Sequence, residues 1–395
     1  MTSFDLDRID HVLSTTRAVR KRLDLDRPVP DEVVLRLIDL AEQAPSGSDQ
    51  ASRRWVVVRD PATKERIAEL YRKAGSSLFA GLRAAAEQAD GRRQRVAGSA
   101  TYLADNLERV PTLVIVTIYG THDGSGRPGL FDSVIQSAWS FCLAARARGI
   151  GTSWTTLHLH RAQEVAELLG IPDGVTQIVL FPVAYTTGGD FQPAPRRPAS
   201  EIAFFDQWGF TTSTVPEEQR THPGEGRGVS LDVDVQAPAE RVWELVSDIT
   251  LPSRFSSEAT GATWDGNEQP GSGAVFRGSN ACEDAGHPAI NRLAEGTLSW
   301  TTSCRVERWE PPHEFTYVVG DSDSPSARWT FRLHPLLGGR TRVTHAMQVG
   351  PGVTGTAAVV QKHPEQAEEI WTGRFRVIRA NIAATLAGVR TLAES

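Results

Sequence analysis

Cysteine is scarce in this chain: Cys142, Cys282 and Cys304 are the only three among 395 residues. An odd, widely spaced trio predicts reduced thiols and argues against a disulfide frame or a thiolate zinc site. Long apolar runs are missing too, with none near the roughly 20 residues that span a bilayer. The opening residues, MTSFDLD, are acidic and have no apolar signal core, so a cytoplasmic protein is expected. There is no long basic block, and the formal net charge is −6, which argues against nucleic acid or an anionic membrane as the main partner. Metal chemistry is poorly provided for. His158 and His160 have a spacing that puts both rings on one face of a strand, but no Cys or carboxylate cluster accompanies them, so a polar strand end and no metal are expected. The Gly-rich stretch 120–129 lacks the lysine of a phosphate-binding loop and the strand–helix context of a dinucleotide loop, and reads as a mobile loop.

What is present is ordinary soluble composition, 40% hydrophobic and 23% charged, in a chain long enough for two cores. Residues 211–228 are polar, rich in Gly and Pro and without hydrophobic period. They predict domains at 1–212 and 229–395 around a linker over 213–228. In the first half, helical spacing of Val34, Leu37, Leu40, Ala41 and Ala44 predicts a helix over 31–44, stopped by Pro45. Apolar runs at 55–58, 113–118 and 178–181 predict buried strands. A helix over 131–147 is apolar nearly all round and must be covered on most sides, at the centre of the fold or at a subunit interface.

The second half opens on a strict period-2 strand, 229–235, then a Pro-started helix from Ala239. Strands follow at 274–278, 297–309, 314–319, 327–333 and 341–349. A long helix closes the chain, with Trp371, Phe375, Ile378, Ile382, Leu386 and Val389 on one stripe. Trp243, Phe255, Trp264, Trp300, Trp309 and Trp329 form an aromatic-rich set whose default role is core packing. Some would line a cavity, if one exists, along with polar groups such as Arg328 or His345.

Four separated motifs recur in one order. They are Thr16-Arg17-Ala18-Val19-Arg20; Ala44-Pro45-Ser46-Gly47-Ser48-Asp49; Gly149-Ile150-Gly151-Thr152-Ser153-Trp154; and Phe181-Pro182-Val183-Ala184-Tyr185, closed by Arg196-Arg197-Pro198. Paired guanidiniums and backbone donors are what a phosphorylated ligand requires. With Pro28-Val29-Pro30-Asp31-Glu32 and Leu168-Leu169-Gly170-Ile171-Pro172, these motifs resemble the FMN-dependent nitroreductase family over residues 10 to about 210. Val235 to Trp243 and Gly338 to His345 resemble the START-like helix-grip superfamily, which includes polyketide cyclases. The fold class implied is α+β: a nitroreductase-like mixed sheet with surrounding helices, then a helix-grip antiparallel domain with a long C-terminal helix.

The resemblance implies FMN held by Arg17, Ala18, Arg20, Ser46, Gly47, Ser48, Asp49, Ser140, Gly151, Thr152, Arg196 and Arg197. Arg197, with Arg196, would contact the phosphate, and Arg20 would lie near the pyrimidine end, where a cation stabilises the anionic reduced ring. It also implies NAD(P)H as electron donor, a homodimer, and a small hydrophobic, aromatic or polyketide-like substrate. No catalytic residue is assigned. The sequence departs from the family pattern at the expected site. Ala18 stands for Ser, Asp49 for Asn, Ala51 for Gln, Arg53 for Trp, Ser140 for Asn and Ala184 for Gly. An ionised Asp only accepts hydrogen bonds, where Asn also donates. Three readings stay open: a flavin oxidoreductase, a flavin-free ligand-binding protein that uses the first domain as a dimerisation scaffold, and a flavin oxidase or dehydrogenase that desaturates a natural product.

Overall fold

A computed structural model describes residues 4–49, 52–88, 91–120, 129–266, 269–286, 288–291, 298–336 and 338–395. The calls on Ala51 and on most of the 120–129 loop therefore lie outside the described residues. The chain forms two compact units, Met1–Pro195 and Arg196–Ser395.

The first unit holds α1 (Leu6–Thr15), α2 (Asp31–Ala41), β1 (Arg53–Val58), α3 (Pro61–Ala74), α4 (Ser76–Gln88), α5 (Gly91–Asn106), β2 (Thr112–Tyr119), α6 (Gly129–Arg146), β3 (Ile150–Thr152), α7 (Ala162–Leu169) and β4 (Val175–Tyr185). Asp31 and Glu32 in the first turn of α2 favour the positive end of its dipole. The sheet order is β1-β2-β4-β3, and these strands pair antiparallel. Parallel pairing enters through isolated bridges, Ala18 to Thr152 and Gly120 to Val175. Strand β2 explains why a sheet strand can read as continuously apolar. Leu113 and Ile115 join a core with α3 and α5, while Val114, Val116 and Ile118 join another with α2 and α6. Both faces are covered, so period 2 is lost.

The second unit holds α8 (Ala199–Ile202), β5 (Phe210–Thr211), β6 (Gly228–Val235), α9 (Ala239–Val246), β7 (Ala259–Trp264), β8 (Val275–Cys282), α10 (Pro288–Asn291), β9 (Leu298–Glu310), β10 (Glu314–Gly320), β11 (Pro325–Pro335), β12 (Thr341–Val349), α11 (Gly355–Lys362) and α12 (Ala367–Glu394). Its antiparallel sheet runs β5-β6-β12-β11-β10-β9-β8-β7. Helix α12 lays Ile370, Trp371, Phe375, Ile378, Ile382, Leu386 and Val389 onto the core. Gly388 is obligatory there, because a Cβ would sit 2.4 Å from the Phe255 ring.

The stretch expected to be a linker is folded into this unit. Ser213 N–H donates to the Gly226 carbonyl, and Thr221 donates to Glu225 and to the Pro351 carbonyl. The His222 ring stacks on Trp371. Ser213, Thr221 and His222 are thus tied into the second unit, which composition does not reveal.

Candidate functional site

In the first unit the segment carrying Arg17 and Arg20 runs beside β3. Val19 N–H donates to the Thr152 carbonyl at 2.8 Å, and Ala18 bridges Thr152. Gly151 sits opposite. A Cβ there would lie 2.9 Å from both Val19 and Thr186, so packing alone requires glycine. Arg17 is exposed and donates to the Gln192 carbonyl at 2.7 Å. Arg20 is half-buried, and its one hydrogen bond among the described residues is a long one, 3.5 Å to Ser99 Oγ. Burial holds its pKa below the ordinary arginine value, partly offset by nearby Tyr71.

The 46–49 loop is held from beneath by a feature the sequence did not announce. Arg53, 5% exposed, stands at the start of β1. Its guanidinium donates to the Glu42 carboxylate at 3.2 Å, to the Ala44 carbonyl at 2.8 Å and to the Ser133 carbonyl at 2.7 Å. It also reaches the carbonyls of Pro45 and Glu42. Glu42 in turn accepts from Trp55 Nε1 at 2.8 Å and from Ser137 Oγ at 3.2 Å. Gly47 N–H is taken by Ser133 Oγ at 2.9 Å, and Asp49 N–H by the Ser46 carbonyl at 3.2 Å. Asp49 is exposed, with φ of 52°, a backbone conformation uncommon outside Gly, Asn and Asp. The side chain of Ser48 lies outside the description. Ser140 Oγ returns to the Gln136 carbonyl at 3.0 Å.

Arg196 and Arg197 fall in the second unit. Arg197 donates to both oxygens of Asp232, at 3.2 and 3.1 Å, and lies 3.7 Å from Glu201. Its charge is matched by carboxylates, which leaves it poorly suited to the phosphate contact expected of it. Arg196 is exposed. The His158–His160 pair lies in a 3-10 turn, Leu157–Arg161, and not in a strand. His158 is fully buried with both ring nitrogens unpartnered, His160 is exposed, and burial pulls the His158 pKa down to about 4. The two rings do not share an environment. Among the described residues no group of three His, Cys, Asp or Glu is placed to hold a metal. No helix among them is long and apolar enough to cross a membrane.

The second unit encloses a cavity of about 540 Å³ between its sheet and α12. This size suits a drug-sized ligand. Strand register orders its floor. Tyr317, Trp329 and Met347 form one cross-strand row, and Phe315, Phe331 and His345 the next, on the same face. Tyr317 and His345 thus flank Trp329. His345 is 3% exposed, stacks on Phe331 at 3.9 Å, and has no partner for Nδ1. Burial pulls its pKa down to about 3 and pushes the Tyr317 phenol up. Arg374, Ile378, Asn381, Ile382 and Thr385 project from one stripe of α12 into the cavity. There Arg374 forms a bidentate pair with the 6%-exposed Glu258, which also accepts from Asn381 Nδ2 at 3.2 Å. Of the aromatic set read from the sequence, Trp300 and Trp329 line this cavity, whereas Trp243 and Trp309 pack edge to face in the core. Arg328 instead forms a bidentate pair with Glu307.

Comparison with known proteins divides the chain in the same way. Residues 13–185 match the nitroreductase family, and residues 227–387 match the family described as polyketide cyclase / dehydrase and lipid transport. Iodotyrosine deiodinase 1 of Rattus norvegicus is 26% identical over 190 residues, 47% of this chain and 65% of that protein's length. A crystal structure of oxidized iodotyrosine deiodinase bound to FMN and 3-iodo-L-tyrosine is 21% identical, covers 50% of this chain and 98% of its own, and has a TM-score of 0.38. The FMN-dependent nitroreductase NfnB of Mycobacterium smegmatis, in complex with NADPH, is 21% identical, covers 51% of this chain and all of its own, and has a TM-score of 0.39.

Proposed function

We propose that this chain, which carries a nitroreductase-family domain followed by a polyketide cyclase/dehydrase-type domain, is an FMN-dependent oxidoreductase. It passes two electrons from NAD(P)H to a small aromatic or polyketide-like molecule, and its second unit holds an apolar ligand. The supporting observation is Arg20. A half-buried guanidinium with one 3.5 Å contact retains donors for a further acceptor. FMN, when bound, supplies the two-electron chemistry. Arg20 would present positive charge to the ring, and Arg17, bonded to a single carbonyl, would add to it. The fit is good at this end. At the 46–49 loop the Gly47 and Asp49 amides are already bonded, so they are not available as donors to FMN.

Arg20→Gln is expected to weaken FMN binding about 10- to 100-fold, the value of a charge-assisted hydrogen bond. Titration followed by quenching of flavin fluorescence measures it. Unchanged affinity would remove Arg20 from the site, and wild-type protein that takes up no FMN would remove the reading. In that event the flavin-free ligand-binding alternative stands, favoured by the committed amides and the Asp49 charge.

A homodimer is proposed on the uncovered apolar face of α6. Ile135 is 46% exposed and Trp139 44%, while Val134, Ala138 and Phe141 of the same helix are buried. Trp154 lies with Ile135 in a groove beside them. Light scattering should give twice the chain mass for wild type and single-chain mass for Trp139→Glu. A wild type already at single-chain mass would end this assignment.

A further inference from the structure

We propose that the cavity of the second unit selects an uncharged, oxygen-bearing aromatic ligand and discriminates against carboxylates. This rests on, and sharpens, the reading of that unit as a holder of apolar molecules. The walls are apolar and aromatic: Trp300, Trp329, Met347, Ile378 and Ile382 face the space. Neutral hydroxyls and amides such as Ser279, Asn280 and Thr302 also line it, and two further places decide how it treats charge.

The first place is the sheet floor. Tyr317 and His345 both line the space; the Tyr317 phenol makes ring contacts but no side-chain hydrogen bond among the described residues, and His345 Nδ1 is buried without a partner. A buried polar atom left unpaired is costly, so such atoms mark where a ligand supplies the missing bond. Both groups are neutral. The phenol donates or accepts, and a neutral imidazole offers one donor and one acceptor. A hydroxyl or carbonyl oxygen in front of Trp329 satisfies them. An anion placed there would lie in a desolvated site with no cation on the sheet floor beside it among the described residues.

The second place is Arg374. A lone buried arginine would attract carboxylates, but this one is already neutralised by both oxygens of Glu258. Glu258 is further satisfied by Asn381. The pair offers the remaining guanidinium N–H groups to a neutral oxygen without offering net charge.

Fluorescence titration of the full chain with pyrene, 1-hydroxypyrene and pyrene-1-carboxylate at pH 7 tests this. Hydroxypyrene should bind about tenfold tighter than pyrene, the worth of one well-made hydrogen bond, and the carboxylate no tighter than pyrene. Tyr317→Phe and His345→Phe should retain pyrene binding and lose the preference for hydroxypyrene. Glu258→Gln, which leaves the Arg374 charge unmatched, should raise carboxylate affinity about tenfold or more. Near-ultraviolet circular dichroism and the retained pyrene binding establish that each variant is folded. A variant that fails this check is replaced by Tyr317→Leu, His345→Leu or Glu258→Ala, for which the same changes are expected. Equal affinity for the three probes, or wild-type preference for the carboxylate, overturns the inference while leaving apolar binding intact. Failure of all three to bind overturns the apolar-ligand reading and this inference with it.

Discussion

Replacing Arg53 with leucine is expected to cost the first unit about 3 kcal/mol, because it strips a buried cation from five acceptors that it bonds at once. Arg53 ties the end of α2, the start of β1 and the Ser133 carbonyl of α6 into one joint. Leucine fills part of the volume but leaves the carbonyls of Ala44 and Pro45 without a donor among the described residues, and leaves the Glu42 carboxylate with Trp55 and Ser137. Lysine should recover only part of the loss, since one ammonium cannot replace a planar fork. Hydrogen exchange of the β1 and β2 amides reads this unit separately from the other. A change under about 1 kcal/mol would mean that water replaces the guanidinium and that the joint is not what fixes the 46–49 loop.

The second large effect is on acid stability. His345 and His158 are buried neutral, with folded-state pKa values pulled down to about 3 and about 4. In the unfolded chain each titrates near 6.5. Above that value neither state binds the proton, and the histidines leave stability independent of pH. Below it the unfolded chain is protonated first, so stability falls as pH drops from about 6.5 toward the folded values, and levels off beneath them. Between pH 7 and pH 5 each ring should remove about 2 kcal/mol from its own unit. Denaturant unfolding at the two pH values measures this, and His345→Phe should flatten the dependence of the second unit alone. A second unit equally stable at pH 5 and pH 7 would mean that His345 is solvated or charged in the folded protein.

Much of the architecture was legible because it rests on period and punctuation. The strand over 229–235 alternates strictly, and its register against β12 matches that alternation. The stripe of α12 was legible for the same reason. What escaped notice had no local signal. Strand β7, Ala-Thr-Gly-Ala-Thr-Trp, lacks an apolar alternation and is fixed by its pairing with β8. Strand β3 has three residues, and β5 has two. The 213–228 stretch has linker composition, yet its groups are paired with residues more than a hundred positions away, such as Pro351 and Gly350.

The candidate sites divide in the same way. Arg17 and Arg20 are legible as candidates because a motif carries them. Glu42, Ser133 and Ser137 are not, because they meet Arg53 only when α2, β1 and α6 converge. His345 is legible as a polar group for a cavity, but its place on the same sheet face as Tyr317 needs strand register. Arg197 shows what sequence alone leaves out. Its Pro-flanked loop suggested a free cation, and the carboxylates that claim it come from Asp232 and Glu201.

The three cysteines have a chemical consequence. All are unpaired and buried, and burial pushes the thiols of Cys142 and Cys304 up to about 11. Cys304 lies in the wall of the cavity. At neutral pH about one such group in ten thousand is the nucleophilic thiolate. The Cys304 thiol is therefore expected to react more slowly with a quinone or an enone than an ordinary protein thiol does.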